Sequence, residues 1–139
     1  MMKLLYSILF ILVLFTTGCG KDEGYIPEVG VNFSMPVTDP RLSRLSSPGG
    51  AVVINGYGIA GLVLYRRTDN SYVAFDRCSS VNPEQKCAVN LDDPTITVTD
   101  PCSGAKFLLE DGSPVKAPAV RGLKQYTVAI SGQNLQVTN

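Results

Sequence analysis

An all-β domain of short antiparallel strands is the fold class that the sequence predicts, and three observations predict it. Apolar and polar residues alternate with period 2 in brief runs. Those runs are separated by clusters of Gly, Asn, Asp and Pro, among them the turn sequences Asp69-Asn70-Ser71, Asp111-Gly112-Ser113-Pro114 and Ser131-Gly132-Gln133. No apolar pattern of helical period runs for a useful length. The first run, residues 29–37, sets Val29, Val31, Phe33 and Met35 against small or polar neighbours. Residues 38–50, with Pro40, Pro48, Gly49 and Gly50, read as a loop. Strands are then expected over 51–55, 62–66, 72–76, 95–99, 106–109, 125–130 and 135–138, joined as hairpins. Gly56-Tyr57-Gly58-Ile59-Ala60-Gly61 spells G-x-G-x-x-G, and Asp76 lies twenty residues beyond its first glycine. A dinucleotide fingerprint needs a helix to open there, so that free N–H groups meet the pyrophosphate. A strand follows instead, so the segment reads as a glycine-rich connection. Asp92-Asp93 before Pro94 reads as a turn rather than an acid–base pair.

Composition removes several classes of function. The 139 residues include no histidine, which takes away the commonest general base, the commonest neutral metal ligand and the near-neutral pH switch together. Lys plus Arg number 12 and Asp plus Glu number 12, so no basic field exists to attract nucleic acid. No internal repeat, coiled coil or low-complexity block is present.

The chain opens on Met1-Met2-Lys3, a positive start, followed by an apolar run over residues 4–15 interrupted only by Ser7, then Thr16-Thr17-Gly18-Cys19. This is the order of a secretory signal over residues 1–18. The run is too short for the roughly 20 residues of a membrane-spanning helix. Cleavage before Cys19 resembles the bacterial lipoprotein pattern, in which that cysteine receives acyl chains, palmitate among them, and holds the protein on a membrane. Gly20-Lys21-Asp22-Glu23 is similar to the Lys-then-acidic signal that sends lipoproteins of Bacteroidetes-type bacteria to the outer face of the outer membrane. The organisation expected is a signal over 1–18, a lipidated Cys19 with a polar tether through 28, and one domain over 29–139. The expected location is the cell envelope, on the outer membrane, with the membrane as a partner and no nucleic acid.

From residue 72 the order of features is specific. Tyr72-Val73-Ala74-Phe75-Asp76-Arg77-Cys78-Ser79-Ser80 leads to Cys87, then to Asp100-Pro101-Cys102-Ser103-Gly104-Ala105-Lys106-Phe107. An Asp111-Gly112 turn, Pro118-Ala119 and Leu123-Lys124-Gln125-Tyr126-Thr127-Val128 follow. This resembles the Rieske family over about residues 50–139: a Cys-x-His loop, a Cys-Pro-x-His-Gly-Ser-x-Phe loop, an Asp-Gly hairpin, Gly-Pro-Ala, and Leu-x-x-Tyr-x-Val. The resemblance implies an antiparallel β-sandwich or barrel carrying a small cluster-binding-like subdomain. In the family two cysteines bind one iron of a [2Fe–2S] cluster and two histidines bind the other. Cys78 matches the first cysteine, but Ser80 and Ser103 stand where the histidines belong and Asp100 where the second cysteine belongs.

The resemblance therefore implies a degenerate site with no cofactor or metal expected, in a non-enzymatic binding or structural module. Some family members tie their two cluster loops by a disulfide, which implies a Cys87–Cys102 bridge suited to an exported protein. Spacing alone leaves Cys78–Cys87 and Cys78–Cys102 open. Two rival readings stand beside this one. An electron carrier could hold [2Fe–2S] through Cys78, Cys87, Cys102 and Asp100. A thiol redox protein would need an accessible Cys78 whose thiolate Arg77 favours.

Overall fold

The computed structural model describes residues 26–139. The expected signal over 1–18, Cys19 and most of the tether lie outside the described residues. Among the described residues ten strands make two sheets: β1 Asn32–Pro36, β2 Ala51–Ile54, β3 Leu62–Arg66, β4 Tyr72–Asp76, β5 Asn90–Leu91, β6 Thr97–Thr99, β7 Lys106–Leu108, β8 Pro114–Lys116, β9 Gln125–Ser131 and β10 Asn134–Thr138. The larger sheet runs β1-β10-β9-β4-β3-β2 and the smaller β5-β6-β7-β8. Every named pairing is antiparallel. The smaller sheet is inserted between β4 and β9, which are neighbours in the larger one.

The expected hairpins are present. β9 and β10 turn through Gly132-Gln133, where Asn134 faces Ser131 and Gly132 takes φ +60°, a backbone conformation that only glycine adopts without penalty. β3 lies between two apolar clusters and packs one face into each. Leu62 and Leu64 enter one apolar cluster with Phe33, Leu135 and Val137, while Val63 and Tyr65 enter a second with Phe75, Phe107 and Val98. A strand buried on both faces needs a continuous apolar run, and Leu62-Val63-Leu64-Tyr65 is one.

Several elements depart from the sequence expectation. Within the expected loop over 38–50 a 3-10 helix forms at Pro40–Ser46. Asp39 caps it by accepting from the Arg41 N–H at 2.9 Å, Pro40 sits in its first turn, and Leu42 and Leu45, three apart, are buried against the first cluster. Strands β5 and β8 were not expected. They are two and three residues long, too short to show a period, and exist because β6 and β7 offer them backbone partners. The first strand begins at Asn32 rather than 29, although packing starts earlier. Ile26 is buried, and Lys124 Nζ pairs with Glu28 at 2.8 Å and donates to the Pro27 carbonyl at 3.4 Å. Residues 26–28, expected as tether, are thus docked on the domain.

A cavity of about 210 Å³ lies where Val37, Leu42, Leu45, Ser46, Arg66, Tyr72 and Leu135 meet. Among the described residues no helix is long and apolar enough to cross a membrane.

Phe75 is fully buried between the two sheets. Phe75→Ala is expected to cost about 3–5 kcal/mol in urea unfolding; a loss under about 1 kcal/mol would show that the junction of the sheets does not depend on this ring.

Candidate functional site

The residues singled out by sequence lie in two loops, the first running from β4 to β5 and the second from β6 to β7. At the end of β4 stands Asp76, fully buried. Its Oδ2 accepts from the Ile59 N–H at 2.7 Å and the Tyr126 hydroxyl at 2.8 Å. Its Oδ1 accepts from the Cys78 N–H at 2.7 Å and the Ala60 N–H at 3.2 Å. The G-x-G-x-x-G segment therefore does present backbone N–H groups to an anion, and that anion is the protein's own carboxylate. Gly58 has φ +66°, and a Cβ there would sit 2.3 Å from Asp76 Oδ2, so the close approach requires glycine. Tyr126 is pushed well above the ordinary phenol range by burial and by its bond to Asp76.

The next residue pair divides. Arg77 turns away from the loop and donates to the Val89 carbonyl at 3.1 Å, with Asn55 and Asn90 beyond. Cys78 faces inward and is fully buried, its thiol directed to the carbonyls of Pro83 at 3.5 Å and Ser79 at 3.7 Å. Burial first, and then the nearby Asp76 carboxylate, push this thiol up to about 11. The accessible, acidified Cys78 that a thiol redox protein requires is absent: Arg77 serves other partners, and the thiol stays neutral and hidden.

Two bonds tie the first loop to the second. One is the Cys87–Cys102 disulfide, which leaves Cys78 as the free cysteine among the described residues. Closing a loop of about 15 residues, it is worth about 3 kcal/mol in the chain-entropy picture. The other is a buried network centred on Asp100. Its Oδ2 accepts from Ser103 Oγ at 2.6 Å and Ser79 Oγ at 2.7 Å, and its Oδ1 from the Cys102 N–H at 2.8 Å. The hydroxyls in turn accept from Val81 and Ala105 N–H groups at 3.1 and 3.2 Å. Burial opposes ionisation of Asp100, but the donors from Ser103, Ser79 and Cys102 outweigh it and hold the carboxyl below its ordinary value.

Ser80 does not join this network; its hydroxyl donates to the Arg121 carbonyl at 2.7 Å and so fastens the segment before β9. Of the four positions matched by sequence, Asp100 and Ser103 are in direct contact, while Cys78 and Ser80 each bond elsewhere. Ser79, the partner that completes the network, was not singled out by the sequence. Its only signal was its place in a Ser-Ser pair, which does not say which hydroxyl points inward. Separately, Thr97, Thr99 and Lys106 converge on Asp92 at 2.6, 2.7 and 2.8 Å, so Asp92 joins β5 to β6 and β7 and is paired with a lysine, not with Asp93.

No protein-family model matches the chain, and no curated protein is significantly similar to it. Solved structures are. The plasma membrane Rieske protein of the cyanobacterium Synechocystis is 22% identical over 81% of this chain and 100% of its own, with a TM-score of 0.55. The ferredoxin of carbazole 1,9a-dioxygenase from Nocardioides aromaticivorans is 17% identical over 79% of this chain and 97% of its own, with a TM-score of 0.49. The ferredoxin of Sphingomonas yanoikuyae is 20% identical over 67% and 88%, with a TM-score of 0.47. The likeness to the Synechocystis protein establishes the fold: this is a Rieske-like all-β domain, a curled antiparallel sheet carrying a second, smaller one.

The side chains in these loops do not fit the [2Fe–2S] cluster that such a fold implies. Its irons need two cysteines and two imidazoles. Here a hydroxyl engaged with Arg121, a hydroxyl engaged with Asp100, and a hard carboxylate that already accepts three hydrogen bonds stand at three of the four positions.

Two outcomes are expected. Because the folded-state value of Asp100 lies below the unfolded one, its contribution to stability is complete above the unfolded carboxyl range, about pH 4, and is lost as pH falls through the folded value. Asp100→Asn should therefore lower stability at pH 7 and flatten its acid dependence, read by denaturant midpoints from pH 2 to 7; an unchanged acid limb would place that dependence elsewhere. Cys78 should resist iodoacetamide at pH 8 in the folded protein and react once urea is added, as read by mass spectrometry. Rapid alkylation of the folded protein would contradict its burial.

Proposed function

We propose that this chain is a non-enzymatic cell-envelope lipoprotein whose Rieske-like domain has lost its cluster ligands and serves as a binding or structural module. One observation carries the reading: the space between the loops is held by the Ser79–Asp100–Ser103 network and a disulfide, so that each side chain at a ligand position already has another bond. The lipoprotein part draws its support from Thr16-Thr17-Gly18-Cys19, with acylation of Cys19 supplying the membrane contact, and from Lys21-Asp22-Glu23 for an outer-membrane position.

A second reading is an electron carrier that binds [2Fe–2S] through Cys78, Cys87, Cys102 and Asp100. It is favoured by the names of the structural neighbours, a Rieske protein and ferredoxins. Against it, the donor atoms that converge belong to Cys87, Asp100 and Cys102, without Cys78.

Protein purified anaerobically is expected to be colourless, with iron and acid-labile sulfide far below one atom per chain. A brown preparation with about two irons per chain would reverse the choice between the two readings. Cys19→Ser is expected to abolish acylation and release the protein from membranes; continued acylation of that variant would overturn the anchor independently of the fold.

A further inference from the structure

The disulfide and the buried carboxylate stand together. The donor atoms of Cys87, Asp100 and Cys102 all lie within 4.8 Å of one another, and the two cysteine Cα atoms are 6.3 Å apart. Once the sulfur–sulfur bond is broken, the same positions offer two thiolates and one carboxylate. That donor set suits a zinc-like cation, which takes sulfur at about 2.3 Å and carboxylate oxygen at about 2.0–2.2 Å and accepts water as a fourth ligand. A cluster of two irons needs four protein ligands; one cation with an open position needs three.

Orientation and access are also provided. Asp100 is fixed by Ser79, Ser103 and the Cys102 N–H, the kind of outer hydrogen bonding that holds a ligating carboxylate in place. The two hydroxyls occupy both lone-pair sites of Oδ2, whereas Oδ1 accepts the Cys102 N–H and keeps a lone pair for a cation. Cys87 and Asp100 are buried and Cys102 is exposed, so a reductant and a hydrated cation reach the pair from the Cys102 side.

We propose that the Cys87–Cys102 disulfide masks a mononuclear site for a zinc-like divalent cation, formed by the two thiolates and Asp100 when a dithiol reduces the bridge. The dithiol supplies two electrons and its own sulfurs join in a new disulfide, while the Cys87–Cys102 bond breaks to give two thiols. Each thiol then gives its proton to solvent as the cation binds. The site requires neither the lipid anchor nor the loss of the cluster, so it stands or falls separately from the function proposed above.

The test uses the full chain carrying Cys19→Ser, so that Cys78 is the only cysteine outside the trio. One portion is kept oxidised; the other is treated with dithiothreitol and desalted under nitrogen. Cobalt(II) is the probe, because thiolate ligation gives it a strong near-ultraviolet band and tetrahedral geometry gives it visible bands, and zinc should displace it. Reduced protein is expected to bind one cobalt per chain with both sets of bands, and oxidised protein none. Cys102→Ser, at the exposed position, is expected to lose at least half of the near-ultraviolet band and to bind at least tenfold more weakly. Asp100→Asn should also bind at least tenfold more weakly, whereas Cys78→Ser should bind as the parent does. Equal cobalt uptake by the oxidised and reduced forms would overturn the proposal. So would parent-like affinity in Cys102→Ser, loss of binding in Cys78→Ser, or loss of the β-sheet circular dichroism on reduction.

Discussion

A carboxylate withdrawn from water must find hydrogen-bond donors within the protein, or the fold cannot contain it. This constraint shapes the whole junction between the two sheets. Asp76 closes β4 and collects donors from the glycine connection before β3, from the start of the first loop and from β9. Asp100 does the same for the two loops, drawing on Ser79 from one and on Ser103 and Cys102 from the other. The two acids divide the work: one fixes where the small sheet leaves the large one, the other fixes how its loops close. Apolar packing by Phe75, Phe107 and Val98 supplies the bulk of the burial, but it does not direct a loop the way a donor aimed at a single oxygen does.

The arrangement at Asp100 has a chemical logic of its own. A metal cluster gathers loops from different parts of a chain by bonding to each of them. When the ligand side chains are short and oxygen-bearing, a buried anion can draw the same loops together through hydroxyl and backbone donors, and the disulfide supplies the covalent part. In this domain the hydrogen bonds to Asp100 and the Cys87–Cys102 disulfide join the two loops directly.

Much of this was legible in the sequence, and the reasons are local. Alternation and turn residues marked the long strands, because a half-buried strand imposes period 2 on its own residues. The second loop and the tail behind it carried the resemblance; in that tail Gly112, with φ +78° and no room for a Cβ beside Phe75, and Tyr126, bonded to Asp76, are set by close tertiary contacts. What was not legible depends on distant partners. Strands β5 and β8 exist through their neighbours, and the choice of Ser79 over Ser80 as partner to Asp100 depends on which way a short loop faces. The 3-10 helix had its signal in Asp39-Pro40, but the surrounding prolines and glycines masked it. G-x-G-x-x-G was read correctly as a connection, yet its recipient anion, Asp76, could be identified only once β4 and the loop were placed side by side.

The latch between Lys124 and residues 27–28 also shortens the tether. Lys124 adjoins the end of β9 where the small sheet is inserted, whereas Arg66, Tyr72 and Leu135 border the cavity at the far ends of the neighbouring strands. With a lipid on Cys19, only residues 20–25 separate the bilayer from the docked Ile26, a leash of roughly 20 Å at full stretch. By docking residues 26–28, the latch removes about 10 Å from the reach that a free tether of the same length would allow.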